Sequence, residues 1–372
     1  MKWSWKIGTL TGIELRIHVT FLLLLGWVGA SSWMLGKSID AALNAVGFIL
    51  ALFGCVLLHE LGHSLAARKY GIPTRDITLL PIGGVARLER MPENPREELW
   101  VALAGPAVNV VIAGILFAYL NLTHGWTPFG QLHVASGPFM ERLLAANVGL
   151  VLFNLIPAFP MDGGRVLRAL LASRMEYVRA TQIAAVVGQG LALVFGFIGL
   201  FDNPMLLFIA LFVWIGASQE ASATQMKAAM SGTPIHAAML TDFRHLERGD
   251  RLSDAVRLII RGSQTDFPVL EQRRVIGILT RSDLLVALAE HGNDYPVTEA
   301  MRRDFVSTDH TEMLEVAFRR LQECDCHTMP VLQEGRLLGL LTMDNLGEYF
   351  LIQAVLKSTP RSYGIATSPA RR

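Results

Sequence analysis

The sequence predicts two parts: an α-helical polytopic membrane domain with about six transmembrane helices and a small membrane-associated β-hairpin, then a soluble α/β domain built from one repeated unit. Hydrophobic residues make up 52% of the 372-residue chain and charged residues only 17%, against roughly 25% charged residues in an average soluble domain. Several long apolar stretches lie within the first 220 residues, and an internal repeat follows them.

The charged residues are distributed unevenly between these parts. Residues 1–220 contain 15 Lys or Arg and 13 Asp or Glu, whereas the shorter remainder, 221–372, contains 18 and 19. This contrast indicates lipid around the first part and water around the second. The formal net charge is +1, and nucleic-acid-binding domains usually concentrate basic residues on one face. We therefore exclude DNA and RNA as partners.

A transmembrane helix requires about 20 predominantly apolar residues. Lys and Arg cluster before the first apolar stretch, after the second and after the fourth, for example at Arg16, Arg68 and Arg165. Because cytoplasmic loops carry the excess of Lys and Arg, we expect a multi-pass protein of the cell (inner) membrane with both termini in the cytoplasm. The six predicted spans are residues 17–35, 42–66, 97–120, 141–160, 181–200 and 204–220.

The segment 71–90 between the second and third spans lacks helical periodicity. It contains GIP and LLPIGGVARL, is rich in turn-forming residues and is too short to cross a membrane. We interpret it as a β-hairpin that dips into the membrane interface, which is tolerated only where protein covers the backbone.

The second part contains one unit used twice, at an offset of 62 residues. FPVLEQRRVIGILTRSDLL at 267–285 aligns without gaps with MPVLQEGRLLGLLTMDNLG at 329–347. Each copy predicts helix, strand, turn, strand and helix, and two such copies are expected to pack as a pseudo-symmetric pair. The predicted boundaries are a membrane domain at 1–225, a linker at 226–233, repeats at 234–291 and 296–352, and a disordered tail at 353–372.

The second span ends in HELGH, which comprises His59, Glu60 and His63. Residues i and i+4 project from nearly the same face of a helix, an arrangement that suits two ligands of a tetrahedral zinc ion. Glu60 lies about 100° around the helix, where it can reach a water on the metal. Elsewhere such a pentapeptide is often polar surface, but within a span each ionisable group costs about 2.5–3.5 kcal/mol. The cluster therefore indicates a function.

A catalytic zinc ion usually has three protein ligands, and Asp162 is the predicted third one. It lies in FNLIPAFPMDGGR at the end of the fourth span, at the predicted membrane depth of HELGH. Pro157 and Pro160 end the helix there, and Gly163 and Gly164 permit close approach of the backbone. The alternative is that Asp162 only caps the next helix.

With these motifs, the sequence resembles the site-2 protease family of intramembrane zinc metalloproteases, in the subgroup with a C-terminal pair of CBS (cystathionine-β-synthase) domains. The resemblance covers nearly the whole chain. It implies regulated intramembrane proteolysis, the hydrolysis of peptide bonds in or near transmembrane segments of membrane-anchored substrates. Besides HELGH and the repeat, the resemblance is based on GIELRIHVTF at 12–21, LLPIGGVARLERMPE at 79–93, ALAGPAVN at 102–109 and NLIPAFPMDGGR at 154–165.

The resemblance also implies roles for single residues. His59, His63 and Asp162 would bind one catalytic zinc ion, with Glu60 as general acid and base. The implied substrate or oxyanion contacts are Asn154 and the segment around Gly83 and Gly84, which resembles the strand on which an unwound substrate docks.

The repeat resembles a cytoplasmic tandem CBS pair, a module that in many proteins binds ATP, ADP or AMP. Thr280 would donate to a phosphate, and Asp283 would accept from both ribose hydroxyls. The second copy keeps Thr342 but has Asn345 in place of the aspartate, and an amide satisfies a ribose less well. The alternative is a pair that serves only homodimerisation or substrate docking.

Two other functions are compatible with the motifs. In a CBS-regulated membrane metal transporter, HELGH and Asp162 would bind the transported metal; a non-catalytic membrane scaffold would need no such ligand set. Replacement of Glu60 by Gln separates the first of these from a protease, because only a hydrolase should lose turnover while it keeps zinc. The expected partners are the lipid bilayer and a membrane-anchored protein substrate with a transmembrane segment.

Overall fold

The computed structural model describes residues 3–81, 83–89, 91–124, 134, 137–324 and 327–358. The chain divides into two compact units, Met1–Thr224 and Gln225–Arg372.

The first unit is built mainly from helices, as the sequence predicts. Among the described residues, five helices (α1, α2, α3, α6 and α7) are long and apolar enough to cross a membrane. The helices that begin in this unit are α1 (Val19–Gly36), α2 (Ile39–Lys69), α3 (Pro95–His124), α4 (Phe139–Asn154), α5 (Asp162–Ala172), α6 (Tyr177–Phe201) and α7 (Met205–Met230).

The fourth predicted span, residues 141–160, is shorter in the structure. Helix α4 ends at Asn154, and the chain turns before α5 begins at Asp162. Pro157 and Pro160 have no N–H to donate to a preceding carbonyl, so the helix does not continue through them. With 16 residues, α4 is about 24 Å long, less than the roughly 30 Å of hydrocarbon in a bilayer.

The membrane unit contains a four-stranded sheet, larger than the predicted hairpin. Its order is β1-β2-β3-β4; β2 and β3 are parallel, and the other neighbours are antiparallel. Thr11 and Gly12 connect β1 to β2 with φ of 53° and 87°, the positive values typical of a two-residue hairpin loop. Ile82 and Arg90 of the predicted hairpin lie outside the described residues. The strands are β1 (Ser4–Leu10), β2 (Ile13–His18), β3 (Thr74–Leu80) and β4 (Gly83–Leu88).

The second unit repeats one arrangement twice. Its two three-stranded sheets have the orders β5-β6-β7 and β10-β9-β8. The elements of the first copy are β5 (Leu246–Glu247), α8 (Leu252–Arg261), β6 (Phe267–Glu271), β7 (Arg274–Leu279) and α9 (Arg281–His291). Those of the second are α10 (Val297–Ala300), β8 (Thr308–Asp309), α11 (Leu314–Glu323), β9 (Thr328–Gln333), β10 (Arg336–Thr342) and α12 (Met343–Ser358).

The segment that precedes each copy pairs with a strand of the other copy. Leu240, ahead of the first copy, makes two backbone hydrogen bonds of 2.8 and 2.9 Å with Leu340 of β10. Arg302, 62 residues after Leu240, pairs in the same way with Ile278 of β7, at 2.9 and 3.0 Å. The copies therefore pack as the pseudo-symmetric pair that the repeat predicts. Helix α12 continues through Ser358, beyond the predicted start of the tail at 353, and residues 359–372 lie outside the described residues.

Candidate metal centre and catalytic site

Three ligand atoms from α2 and α5 meet at one buried point. His59 Nε2 lies 3.1 Å from His63 Nε2 and 3.2 Å from Asp162 Oδ2, and His63 Nε2 lies 3.1 Å from the same oxygen. All three residues are buried, with 4–6% of their surface exposed. The structure therefore brings together the three side chains that the sequence predicts as metal ligands.

Contacts behind the imidazoles direct their Nε2 atoms toward this point. His63 Nδ1 lies 2.7 Å from the carbonyl oxygen of Val101 on α3. A carbonyl only accepts, so this contact places the hydrogen on His63 Nδ1, and in the neutral imidazole Nε2 then carries the lone pair. His59 Nδ1 lies 2.5 Å from the amide oxygen of Asn109, also on α3. Metal-binding histidines typically make such contacts through their second ring nitrogen.

The spacing of the three atoms fits zinc. Zinc bonds of about 2.0–2.1 Å in tetrahedral geometry place ligand atoms about 3.3–3.4 Å apart, close to the 3.1–3.2 Å found here. Two imidazoles and a carboxylate are also one of the usual catalytic zinc ligand sets. Two neutral imidazole nitrogens and a carboxylate oxygen this close repel one another unless a proton or a metal cation lies between them.

Gly105 keeps the space at these ligand atoms open. A Cβ atom added to Gly105 would lie 2.2 Å from His63 Nε2 and 2.7 Å from His59 Nε2. Any side chain at this position would therefore collide with both imidazoles at the nitrogens that face Asp162. The absence of a side chain is a second observation that fits a metal at this site.

Asp162 is held at the start of α5 by its glycine neighbours. Cβ atoms added to Gly163 and Gly164 would lie 2.3 Å from the Ile156 carbonyl oxygen and 2.6 Å from the Ala158 carbonyl carbon. The two glycines therefore permit the close backbone approach that the sequence predicts, and α5 begins directly against the preceding turn.

The carboxylate of Asp162 faces the histidines. The N-cap residue of α5 is Met161, and its side chain makes no capping hydrogen bond. Asp162 Oδ1, the oxygen turned away from the histidines, lies 3.7 Å from Arg165 Nη1. A carboxylate in the first turn also interacts favourably with the helix dipole. These contacts favour a ligand over a simple cap.

A buried ion network fixes α5 to its neighbours. Arg168 donates from Nε to Glu98 of α3 at 2.7 Å and from Nη1 to Glu220 of α7 at 2.5 Å. Its guanidinium carbon lies 5.0 Å from the ring centres of Phe159 and Tyr177. Arg168 lies less than two helical turns after Asp162, so the network fixes the part of α5 that carries Asp162. The sequence did not predict this network.

Glu60 lies beside the sheet. It is half-buried on α2, and a Cβ atom added to Gly84 at the start of β4 would lie 2.8 Å from Glu60 Cγ. Gly83 precedes it with a φ of 138°, a conformation that glycine adopts readily. Asn154, the last residue of α4, is half-buried, and no described residue hydrogen-bonds to its side chain.

The sequence analysis assigned no role to three residues that shape the centre. Gly105 and Asn109 both lie in ALAGPAVN, and Asn147 lies on α4. The available signal was an asparagine inside an apolar span, because a polar side chain in a membrane helix usually has a partner there.

In the second unit, the predicted nucleotide contacts hydrogen-bond to nearby protein groups. Thr280 Oγ1 donates to Asp283 Oδ2 at 2.5 Å and accepts from the Asp283 backbone N–H at 3.2 Å. Arg302 also donates to both carboxylate oxygens of Asp283, at 2.7 and 3.0 Å. Burial alone would raise the pKa of Asp283, but the hydrogen bonds from Arg302 and Thr280 outweigh it and hold that pKa below its usual range.

The equivalent turn of the second copy has the same backbone arrangement with other partners. Thr342 Oγ1 accepts from the Asn345 backbone N–H at 3.1 Å. The Asn345 amide donates to the carbonyl oxygen of Ala238 at 2.5 Å. The asparagine that departs from the first copy therefore has a structural partner.

Comparison with known proteins identifies the family. The model of Peptidase family M50 matches residues 47–136 and 131–195, and that of the CBS domain matches residues 235–290 and 297–351. Zinc metalloprotease MJ0392 from Methanocaldococcus jannaschii is 31% identical over 349 residues, which cover 93% of this chain and 96% of that protein. The chain belongs to peptidase family M50.

The chain is also similar to a second curated protein and to a solved protease structure. Stage IV sporulation protein FB from Bacillus subtilis is 27% identical over 208 residues, 55% of this chain and 65% of that protein. The solved structure of the site-2 protease from Methanocaldococcus jannaschii is 39% identical, covers 59% of this chain and 95% of its own, and gives a TM-score of 0.43.

Membership confirms the enzyme class and the resemblance found in the sequence. This M50 protease is a zinc metalloendopeptidase of the site-2 protease type with a C-terminal CBS pair. It is an integral membrane protein of a family that acts on membrane-anchored substrates. The comparisons support a protease over the metal transporter.

Proposed function

We propose that His59, His63 and Asp162 bind the catalytic zinc ion of this protease, and that Glu60 is its general acid and base. The supporting observation is the convergence of three buried ligand atoms, 3.1–3.2 Å apart, around a space that only a glycine at position 105 leaves open.

The mechanism assigns each step to one of these side chains. When bound, zinc polarises the scissile carbonyl and lowers the pKa of water toward about 7. Glu60 accepts the proton of the attacking water and returns it to the nitrogen of the leaving amine. Arg165 and the first turn of α5 hold the Asp162 carboxylate. Asn154 donates from its amide to the substrate or to the developing oxyanion.

The proposed substrate is a membrane-anchored protein that docks through its backbone on β4. A transmembrane helix hides its carbonyls in its own hydrogen bonds, so it must unwind before hydrolysis. Strand β4 has one edge unpaired among the described residues and begins beside Glu60. An unwound segment could add to this edge as a further strand, and the absence of a side chain at Gly84 lets β4 lie directly against Glu60.

Zinc content and cleavage of a single-span substrate in detergent test the catalytic assignment. Glu60→Gln should keep stoichiometric zinc and lose activity by about 10²–10⁴-fold, the usual contribution of a general base. Asp162→Ala should lose both, because one of three ligands is gone. Asp40→Asn, at the other end of α2, is the matched control and should match the wild type. Wild-type cleavage by Glu60→Gln would refute the role of Glu60.

We further propose that the CBS pair binds an adenosine nucleotide through Thr280, Asp283 and Thr342, and that binding is coupled to cleavage. The supporting observation is the same Thr-capped turn at equivalent positions of both copies. Calorimetry of the full-length protein with ATP, ADP and AMP tests this. If none of them releases or absorbs heat, the pair serves homodimerisation or substrate docking instead.

The proposed location is the cytoplasmic membrane, with both termini in the cytoplasm. The excess of Lys and Arg after the second and fourth predicted spans supports this orientation. Reporter fusions at the two termini test it; a terminus reported on the far side would refute it. Cross-linking in membranes, compared with a variant that lacks residues 226–372, tests whether the CBS pair mediates a homodimer.

A further inference from the structure

His59 is held by a chain of buried polar groups that crosses from α2 through α3 to α4. His59 Nδ1 lies 2.5 Å from Asn109 Oδ1, and Asn109 Nδ2 donates to Asn147 Oδ1 at 2.9 Å. Asn147 Nδ2 in turn donates to the backbone carbonyl of Leu143 at 2.9 Å and approaches Cys55 Sγ at 3.4 Å. His63, by contrast, contacts a backbone carbonyl directly.

The carbonyl of Leu143 sets the direction of the whole chain. A carbonyl oxygen only accepts hydrogen bonds, so Asn147 must turn its NH₂ group toward Leu143 and its oxygen toward Asn109. Asn109 must then turn its NH₂ group toward Asn147 and its own oxygen toward His59. Reversal of either amide would place two oxygens, or two NH₂ groups, against each other.

Burial makes this direction costly to change. Asn109 and Asn147 have no exposed surface, so water is not available to satisfy a reversed amide. A buried polar group without a partner loses its hydrogen bonds to water and gains none in return. The only group that can face the Asn109 oxygen favourably is an N–H on His59 Nδ1.

We propose that Asn109 and Asn147 are positioning residues that keep the hydrogen of His59 on Nδ1 and so leave Nε2 free to bind zinc. The proposal rests on the zinc site proposed above. Asn109 acts directly on His59, and Asn147 acts only through Asn109. Neither residue contacts substrate or the reacting atoms.

Zinc affinity of the full-length protein in detergent, measured by competition with a chromophoric chelator, tests the proposal. Loss of a hydrogen-bond partner behind a metal ligand typically weakens metal binding 10–100-fold, and we expect this for Asn109→Leu. Asn147→Leu should weaken binding less, because Asn109 is then free to turn either way. The double variant should bind zinc no more weakly than Asn109→Leu alone, since the two residues act in series.

Two further variants separate positioning from folding. Asn109→Asp alone would place a carboxylate oxygen against Asn147 Oδ1, so it is combined with Asn147→Leu. The combined variant keeps an acceptor for His59 Nδ1 without an opposing oxygen and should bind zinc within a few-fold of the wild type. Asn121→Leu is the matched control: Asn121 is on the same helix, donates to the Phe117 carbonyl at 2.8 Å and should not alter zinc affinity.

Several outcomes would overturn the proposal. They are wild-type affinity in Asn109→Leu, equal losses in Asn109→Leu and in Asn109→Asp combined with Asn147→Leu, or a loss in the double leucine variant equal to the product of the two single losses. His59→Ala shows which assignment has failed. If it loses zinc while Asn109→Leu keeps it, the zinc site stands and the positioning role is wrong; if His59→Ala binds zinc normally, the zinc site itself is wrong.

Discussion

Replacement of Gly105 by alanine tests the metal centre without changing any ligand. The added Cβ atom would lie 2.2 Å from His63 Nε2, 2.6 Å from His63 Cε1 and 2.7 Å from His59 Nε2. A carbon atom needs about 3.5 Å from its neighbours, so the His63 ring must move by about 1 Å or more. Zinc sites tolerate changes of only about 0.2 Å in ligand distance, so the three ligands could no longer meet at one ion.

We expect Gly105→Ala to bind zinc at least about 100-fold more weakly, because displacing a ligand should cost more than the 10–100-fold loss of a partner behind one. Cleavage should fall with zinc content. Zinc is measured by competition with a chelator and cleavage with a single-span substrate. Gly114→Ala is the matched control: it lies on the same helix, α3, and an added Cβ atom has no neighbour within 4 Å.

Thermal unfolding in the presence of a chelator separates loss of the site from loss of the fold. Overpacking a core typically costs 1–3 kcal/mol, so the metal-free variant should unfold at a moderately lower temperature but still cooperatively. Wild-type zinc affinity and cleavage in Gly105→Ala would refute the reasoning, because the added Cβ atom should displace His63 and His59 if these residues bind the ion.

Two further predictions concern substrate and nucleotide. Successive N–H groups of an antiparallel edge strand point alternately toward the neighbouring strand and toward the open edge. Of the two variants Val85→Pro and Ala86→Pro, one should therefore destabilise the sheet, and the other should abolish cleavage while zinc is retained. Full cleavage by both variants would exclude docking on β4. Arg302→Ala should free Asp283 to bind a ribose. Binding of adenosine, which has no phosphate, should then strengthen by up to about five-fold, because a partly exposed ion pair contributes about 0.2–1 kcal/mol. Weaker binding of adenosine in calorimetry would mean that Arg302 itself contacts the ligand.

Local periodicity explains what the sequence could predict. The HELGH spacing places His59 and His63 on one face of α2, independently of which elements pack against that face. The 62-residue repeat predicts the symmetry of the second unit. Strands β1 and β2 form a local hairpin that was missed, and the parallel pairing of β2 with β3 joins residues 62 positions apart, such as Glu14 and Asp76. Two local signals were available, the two-residue loop at Thr11 and Gly12 and the alternation of apolar and polar residues from Ile13 to Ile17, whereas nothing local indicates β3 as the partner of β2.

The buried network around Arg168 could have been suspected from a rule already applied to HELGH. Glu98 and Glu220 lie within apolar helices, where ionisable groups require a reason. Their pairing with Arg168 could not be read from sequence, because it depends on which helices pack against α5. A buried ion pair is weak evidence for stability by itself; its evident effect here is to fix the position of the helix that presents Asp162.

Helix α3 contributes none of the three proposed zinc ligands, yet it contacts two of them. Val101, Gly105 and Asn109 follow one another at intervals of four residues and so lie along one face of α3. Val101 holds His63, Asn109 holds His59, and Gly105 leaves the space between them. The order is reversed relative to α2, as in antiparallel helices. A shift of α3 by one residue would turn this face by about 100° and remove all three contacts together. The proposed zinc site can therefore form only when α2 and α3 pack in this register.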